Sequence, residues 1–143
     1  MLIGEINHSI DAKGRYIIPA KFRDELGERF VLVKGLDSCI FVYPIAKWEA
    51  VLESLSQLSA TDPRARRFSR SFTARAFDVE TDKQFRVVLP QVLREYAGIE
   101  KEIVTIGATN RLEIWDKQRW LDYNIEADET FEEDASYFPE IRL

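Results

Sequence analysis

The sequence of 143 residues holds a single cysteine and a single histidine. A lone Cys39 excludes an internal disulfide and a cysteine zinc site, and it fits a reducing compartment. His8 has no Ser or Cys nucleophile in a recognisable motif, and a metal site built on it would need carboxylates alone as further ligands. Neither a G-x-x-x-x-G-K-[ST] nor a G-x-G-x-x-G phosphate loop occurs. Carboxylates are abundant but show no pairing pattern suited to acid–base catalysis. No apolar run approaches the roughly 20 residues that span a bilayer. The stretch Met1–Glu5 lacks the basic-then-apolar order of a secretion signal. These absences predict a soluble, cytosolic protein that is not an enzyme, with no metal, cofactor, small-molecule substrate or membrane partner.

Positive charge is also scarce, with a net charge of −5, which at first argues against a nucleic-acid partner. The distribution reverses that impression. From Asp122 onward, eight acids stand against Arg142 alone, a net of −7, so residues 1–121 carry +2. The acidic end reads either as a solubilising, partly disordered tail or as a regulatory segment.

What the chain does have is an internal repeat. Asp11-Ala-Lys-Gly-Arg15-Tyr-Ile-Ile-Pro19 aligns with Asp82-Lys-Gln-Phe-Arg86-Val-Val-Leu-Pro90 at an offset of 71, continuing through Arg23/Arg94 and Gly27/Gly98. One inserted residue then pairs Gly35 with Gly107, Val42 with Ile114, Tyr43 with Trp115 and Trp48 with Trp120. A half of about 70 residues buries only a modest core, so the halves should share one or borrow from partner chains.

Each copy reads as β-β-α-β-β followed by a helix. Short strands (6–10 and 76–80) lead through a polar loop into apolar strands, Tyr16–Ile18 and Val87–Leu89. Pro19 and Pro90 end those strands and open short helices, Ala20–Leu26 and Gln91–Ala97. Gly27 and Gly98 suit left-handed C-caps. Strands at 30–34 and 39–43, and at 103–106 and 112–115, complete the copies. Between them, residues 45–58 have helical spacing with Trp48, Val51, Leu52 and Leu55 on one face. Asp62-Pro63 opens a second helix to Ala74, rich in arginine, and Asp116 caps a closing helix to about Ile125. The organisation is residues 5–48 and 76–120 as the copies, 49–75 as a helical connector and 121–143 as an acidic C-terminal helix and tail.

Chemistry concentrates in the two Asp-x-x-x-Arg loops. Asp11 and Asp82 can satisfy local backbone N–H groups while Arg15 and Arg86 face outward, and a guanidinium fork suits phosphate or guanine. Lys13 and Lys83 add point charges suited to phosphates. Arg23 and Arg94, on the following helices, extend the same face if those helices pack back towards the loops. The competing reading makes Asp11–Arg15 an internal ion pair that merely fixes a turn. The arginines of the 63–74 helix are likewise either a solvated connector or a basic stripe along a phosphate backbone. Trp48, Trp115 and Trp120 read as core or interface aromatics.

The first motif, with Arg23 and Leu26-Gly27, resembles the swapped-hairpin DNA-binding domain of the SpoVT/AbrB superfamily. Two such motifs in a chain of this length, with Leu112-Glu-Ile-Trp-Asp116, resemble the MraZ family of transcriptional regulators. That resemblance implies an α+β fold in which the duplicated β-β-α-β-β halves form one pseudo-symmetric swapped-hairpin β-barrel with connecting and C-terminal helices. It implies a ring-like homo-oligomer in the cytoplasm, at the nucleoid, binding double-stranded DNA at direct repeats in the promoter of its own operon, the division and cell wall cluster. It places DNA contacts on Arg15 and Arg23, and on Arg86 and Arg94, with Asp11 and Asp82 supporting the loops. One departure stands out: Phe85 occupies the position of Gly14, where a positive φ would strain it. The second loop is therefore expected to differ in shape, leaving the first copy as the principal reader. The alternative function is an antitoxin-like module whose acidic segment, with Phe131, Tyr137 and Phe138, folds on a partner.

Overall fold

The computed structural model describes residues 1–143. The chain runs through β1 (Leu2–Ser9), β2 (Arg15–Ile17), a 3₁₀ turn (Ala20–Phe22) joined to α1 (Arg23–Leu26), β3 (Arg29–Lys34), β4 (Ile40–Pro44) and α2 (Ile45–Ser56). It then passes through α3 (Pro63–Ala74), β5 (Phe77–Glu80), β6 (Arg86–Val88), α4 (Gln91–Ala97), β7 (Glu102–Thr109), β8 (Leu112–Asp116), α5 (Lys117–Glu129) and α6 (Phe131–Ser136). No helix is long and apolar enough to cross a membrane.

Local chemistry accounts for most boundaries. Asp62 accepts from the backbone N–H of Arg64 and Ala65, and Pro63 fills the first turn, so α3 starts where expected. Gly98 ends α4 in the left-handed conformation (φ 66°, ψ 29°). Gly27 does not repeat this. Its φ of 79° combines with an extended ψ of 177°, turning the chain directly into β3. The acidic end continues as α5 and α6 as far as Ser136.

Strand pairing crosses between the copies. The six-stranded antiparallel sheet has the order β1-β7-β8-β4-β3-β5, and β2 pairs with β6 in a separate two-stranded ribbon. The first strand of each copy thus lies in the other's ladder: β1 along β7, β5 along β3. In the ribbon Tyr16 faces Val87, its own counterpart at offset 71. Where β4 meets β8, Phe41 faces Glu113, its counterpart at offset 72.

The register corrects the alignment of the two glycines. Lys34 pairs with Ile40 at the end of β3, and Gly107 pairs with Leu112 at the corresponding place in β7. Gly107 therefore stands where Lys34 stands, not where Gly35 does. Two extra residues precede β7, and the following turn is one residue shorter, so matching glycine with glycine hid both changes. Gly107 has its own requirement, since a Cβ there would lie 2.3 Å from the backbone of Leu2 and Ile3 in β1.

Alternation along the strands divides two apolar clusters. Ile40 and Val42 join Tyr16, Ile18, Val87, Leu89, Leu93, Phe22 and others between the sheet, the ribbon and the short helices. Phe41 and Tyr43 face the other way with Val33, Cys39 and Trp115, where Trp48, Val51, Phe72 and Trp120 of the helices cover them. All three tryptophans belong to this outer cluster. Leu52, expected on the buried face of α2, remains 40% exposed.

Candidate nucleic-acid interface

Both Asp-x-x-x-Arg loops are built by the same hydrogen bonds. Asp11 Oδ1 accepts from the backbone N–H of Lys13 and Arg15, each at 2.9 Å, and Oδ2 accepts from Arg15 Nε at 2.5 Å. Asp82 Oδ1 accepts from the N–H of Gln84 and Arg86 at 2.8 and 2.9 Å, and Oδ2 from Arg86 Nε at 2.8 Å. These donors, led by the backbone N–H of the arginine, hold both carboxyls below the usual carboxylate range. The backbone closes each loop as well: the N–H of Gly14 donates to Asp11 O, and that of Phe85 to Asp82 O.

The internal ion pair is therefore real, yet it uses only Nε. The Nη groups of Arg15 and Arg86 make no hydrogen bond within the chain, leaving two aimed forks with four N–H donors each. Fixing Nε removes much of the rotamer freedom that binding otherwise has to freeze.

Phe85 does not reshape the second loop. It adopts φ 60° where Gly14 has 74°, and the hydrogen bonds match those of the first loop one for one. Two contacts offset the strain of a side chain there. The Asp82 carboxylate over-determines the turn, and the Arg23 guanidinium lies 4.1 Å from the Phe85 ring centroid.

The helix arginines also lie against the loops. Arg23 Nε donates to Ile18 O (2.9 Å) and Arg94 Nε to Leu89 O (3.1 Å), so both fold back from their helices. Each then reaches the loop of the other copy. Arg23 stacks on Phe85, while the Arg94 guanidinium lies where a Cβ on Gly14 would meet it at 3.2 Å. The loops are stitched across as well, with Leu89 N–H donating to Gly14 O and Ile18 N–H to Phe85 O.

The ribbon brings the two loop arginines together. In β2, Tyr16 points inward while Arg15 and Ile17 point out; β6 repeats this with Val87 in and Arg86 and Val88 out. Arg15 and Arg86 line one shallow depression of about 480 Å³. Ile17 and Val88, 46% and 57% exposed beside them, were not expected as contact residues, although alternation from a buried Tyr16 and Val87 predicts the exposure. Lys13 and Lys83 stand exposed on the loops without ion pairs.

Behind the ribbon lies a polar group that sequence reasoning missed. Tyr16 Oη and His8 Nε2 both meet Thr105 Oγ1, at 2.6 and 2.7 Å, linking β2, β1 and β7. Burial pushes the His8 imidazole below its ordinary pKa and the Tyr16 phenol above its own. The register puts Val79, Val87 and Leu32 at the corresponding positions of the other half, so one side is polar and the other apolar.

The arginines of α3 are not part of this face. Phe72 seats α3 on the outer cluster, on the opposite side of the sheet from the ribbon.

Fold and site define a class: an α+β protein of two interlocked halves presenting a pair of carboxylate-fixed arginine loops on one ribbon. Within that class the family is specific. A family profile described as "MraZ protein, putative antitoxin-like" matches twice, over residues 1–71 and 72–138. The chain is 49% identical over 143 residues, all of both chains, to the transcriptional regulator MraZ of Thermoanaerobacter sp. (strain X514). It is 52% identical over 124 residues to that of Clostridium acetobutylicum, covering 87% of each chain. Against that of Caldicellulosiruptor bescii it is 54% identical over 121 residues, 85% of each. The chain belongs to the MraZ family, whose members are named as transcriptional regulators.

Proposed function

We propose that this protein is a sequence-specific DNA-binding transcriptional regulator that reads DNA with the β2–β6 ribbon. The observation that carries this is the pair of arginines, each locked through Nε by a loop aspartate with its Nη fork free. A two-stranded ribbon fits the B-DNA major groove, where an arginine fork matches the O6 and N7 of guanine. Val88 opposite Arg15 and Ile17 opposite Arg86 suit thymine methyl groups, and Lys13, Lys83, Arg23 and Arg94 would take the flanking phosphates.

The exchange of first strands supports a pseudo-symmetric swapped-hairpin barrel, with residues 5–48 and 76–120 as its halves, joined through 49–75 and followed by 121–143. A body of only +2 supports the further proposal that several copies act together as a ring-like homo-oligomer on repeated sites. Family membership supports placing those sites in the promoter of the protein's own operon, the division and cell wall cluster, with the protein at the nucleoid in the cytoplasm.

Because the loops match, the reading is shared between the copies. Anisotropy titrations against DNA from that promoter, with one repeat and with several, test the proposal. Arg15→Ala and Arg86→Ala should each weaken specific binding by about 1–3 kcal/mol. Several repeats should bind far more tightly than one, with steep salt dependence. Unchanged affinity in both variants would remove the ribbon from the interface.

A further inference from the structure

The five arginines Arg64, Arg66, Arg67, Arg70 and Arg75 crowd α3 and its end, and none forms an ion pair. The seven acids from Glu126 to Glu140 form none either. One chain thus carries two unneutralised blocks of opposite sign.

Apolar surface follows the same division. Beside the arginines, α2, α3 and the sheet enclose a groove of about 570 Å³ lined by Phe41, Tyr43, Leu55, Leu58, Phe68 and Tyr96, among others. A shallow basic depression under Arg66, Arg67 and Arg70 adjoins it, sharing Lys34 and Ser71. The acidic segment carries the complementary features. Phe131 and Tyr137 are each 71% exposed, Phe138 and Ile141 about half exposed, and every hydrogen bond from Thr130 onward is local. An exposed segment that interleaves aromatics with acids matches an apolar groove rimmed by arginine.

The two copies also differ here. After Trp48 the first copy folds α3 back over the outer cluster through Phe72, which packs 5.6 Å from the Trp48 ring. After Trp120, the counterpart of Trp48, α5 packs Tyr123 against Trp115 and Trp120, and beyond it Phe131, Tyr137 and Phe138 stand exposed.

We propose that the segment 131–143 of one copy docks in the α2–α3 groove of a second copy, its acids against the α3 arginines and its aromatics in the apolar part. This rests on the homo-oligomer reading above and deepens it by assigning the contact. The groove and the segment are different surfaces, so the contact is heterologous and repeats from copy to copy, closing into a ring where the rotation allows. It leaves the ribbon of every copy open to DNA.

A charge exchange in the full-length chain tests this by sedimentation velocity across protein and salt concentration. R66E/R67E/R70E, and separately E132K/E133K/D134K, should each raise the concentration for half-assembly at least tenfold. The two sets combined should recover most of the assembly, which damage to folding would not. Truncation after Thr130 should also dissociate the oligomer. A monomeric wild-type chain, an assembled truncated chain, or a combined variant no better than either half would each overturn the proposal. Binding of a single DNA repeat, titrated in parallel, separates the two readings. It persists in these variants if only the docking fails, and is absent from the wild type if the DNA reading fails.

Discussion

Replacing Phe85 separates two opposing effects at one residue. Its φ of 60° costs a non-glycine residue about 1–2 kcal/mol. Its ring, 38% exposed, stacks under Arg23 at 4.1 Å and recovers about 0.5–1 kcal/mol. Phe85→Ala keeps the backbone strain and loses the stack. Phe85→Gly loses the stack but relieves the strain, less about 0.4–1 kcal/mol for the freer unfolded chain. The glycine variant should therefore exceed the alanine variant by about 0.5–1 kcal/mol. At a urea slope near 2 kcal/mol/M, that is a midpoint difference of about 0.3–0.5 M. Crossing Phe85→Gly with Arg23→Ala should show a coupling of about 0.5–1 kcal/mol. An alanine variant as stable as the glycine variant would refute the strain argument, and zero coupling would refute the stack.

The His8–Thr105–Tyr16 group predicts a second effect. A histidine whose folded pKa lies below its ordinary 6.5 binds more protons when unfolded, so stability is full above 6.5 and falls as pH drops below it. His8→Val, matching Val79, should flatten the fall of the urea midpoint as pH drops below about 6.5; an unchanged slope would assign it elsewhere. Gly107→Ala drives a Cβ into the β1 backbone, which no side-chain motion relieves, and should cost up to about 3 kcal/mol. Hydrogen exchange should show the β1–β7 ladder opening first, and a protected ladder would count against the clash.

Local signals were legible where one residue acts on its neighbours. Asp62-Pro63 opens α3, Pro90 opens α4, and the Asp-x-x-x-Arg spacing fixes both loops, all readable within a few residues. Pairing between distant strands was not legible, because period-2 alternation says which face a residue takes but not which strand lies beside it. That is why the sequence does not say which loop Arg23 and Arg94 reach, nor that His8 meets Thr105. The misplaced Gly35/Gly107 pair had another cause: residue identity outweighed two compensating length changes. Phe85 shows the converse, a composition that looked prohibitive in a turn whose carboxylate already dictates the backbone.

The exchanged strands have one more consequence. Joining the halves in one chain makes each the permanent partner of the other, at an effective concentration independent of how much protein is present. In two identical chains, every substitution at such an interface falls on both sides of the axis at once. Here a change falls on one side only. The hydroxyl–imidazole contact at Thr105 and the hydrocarbon packing at Leu32 can therefore coexist in one molecule. So can a ring-stacked Arg23 and an Arg94 laid over a glycine. Covalent linkage gives the β2–β6 ribbon a left and a right, so that its two arginines sit in different surroundings on one face.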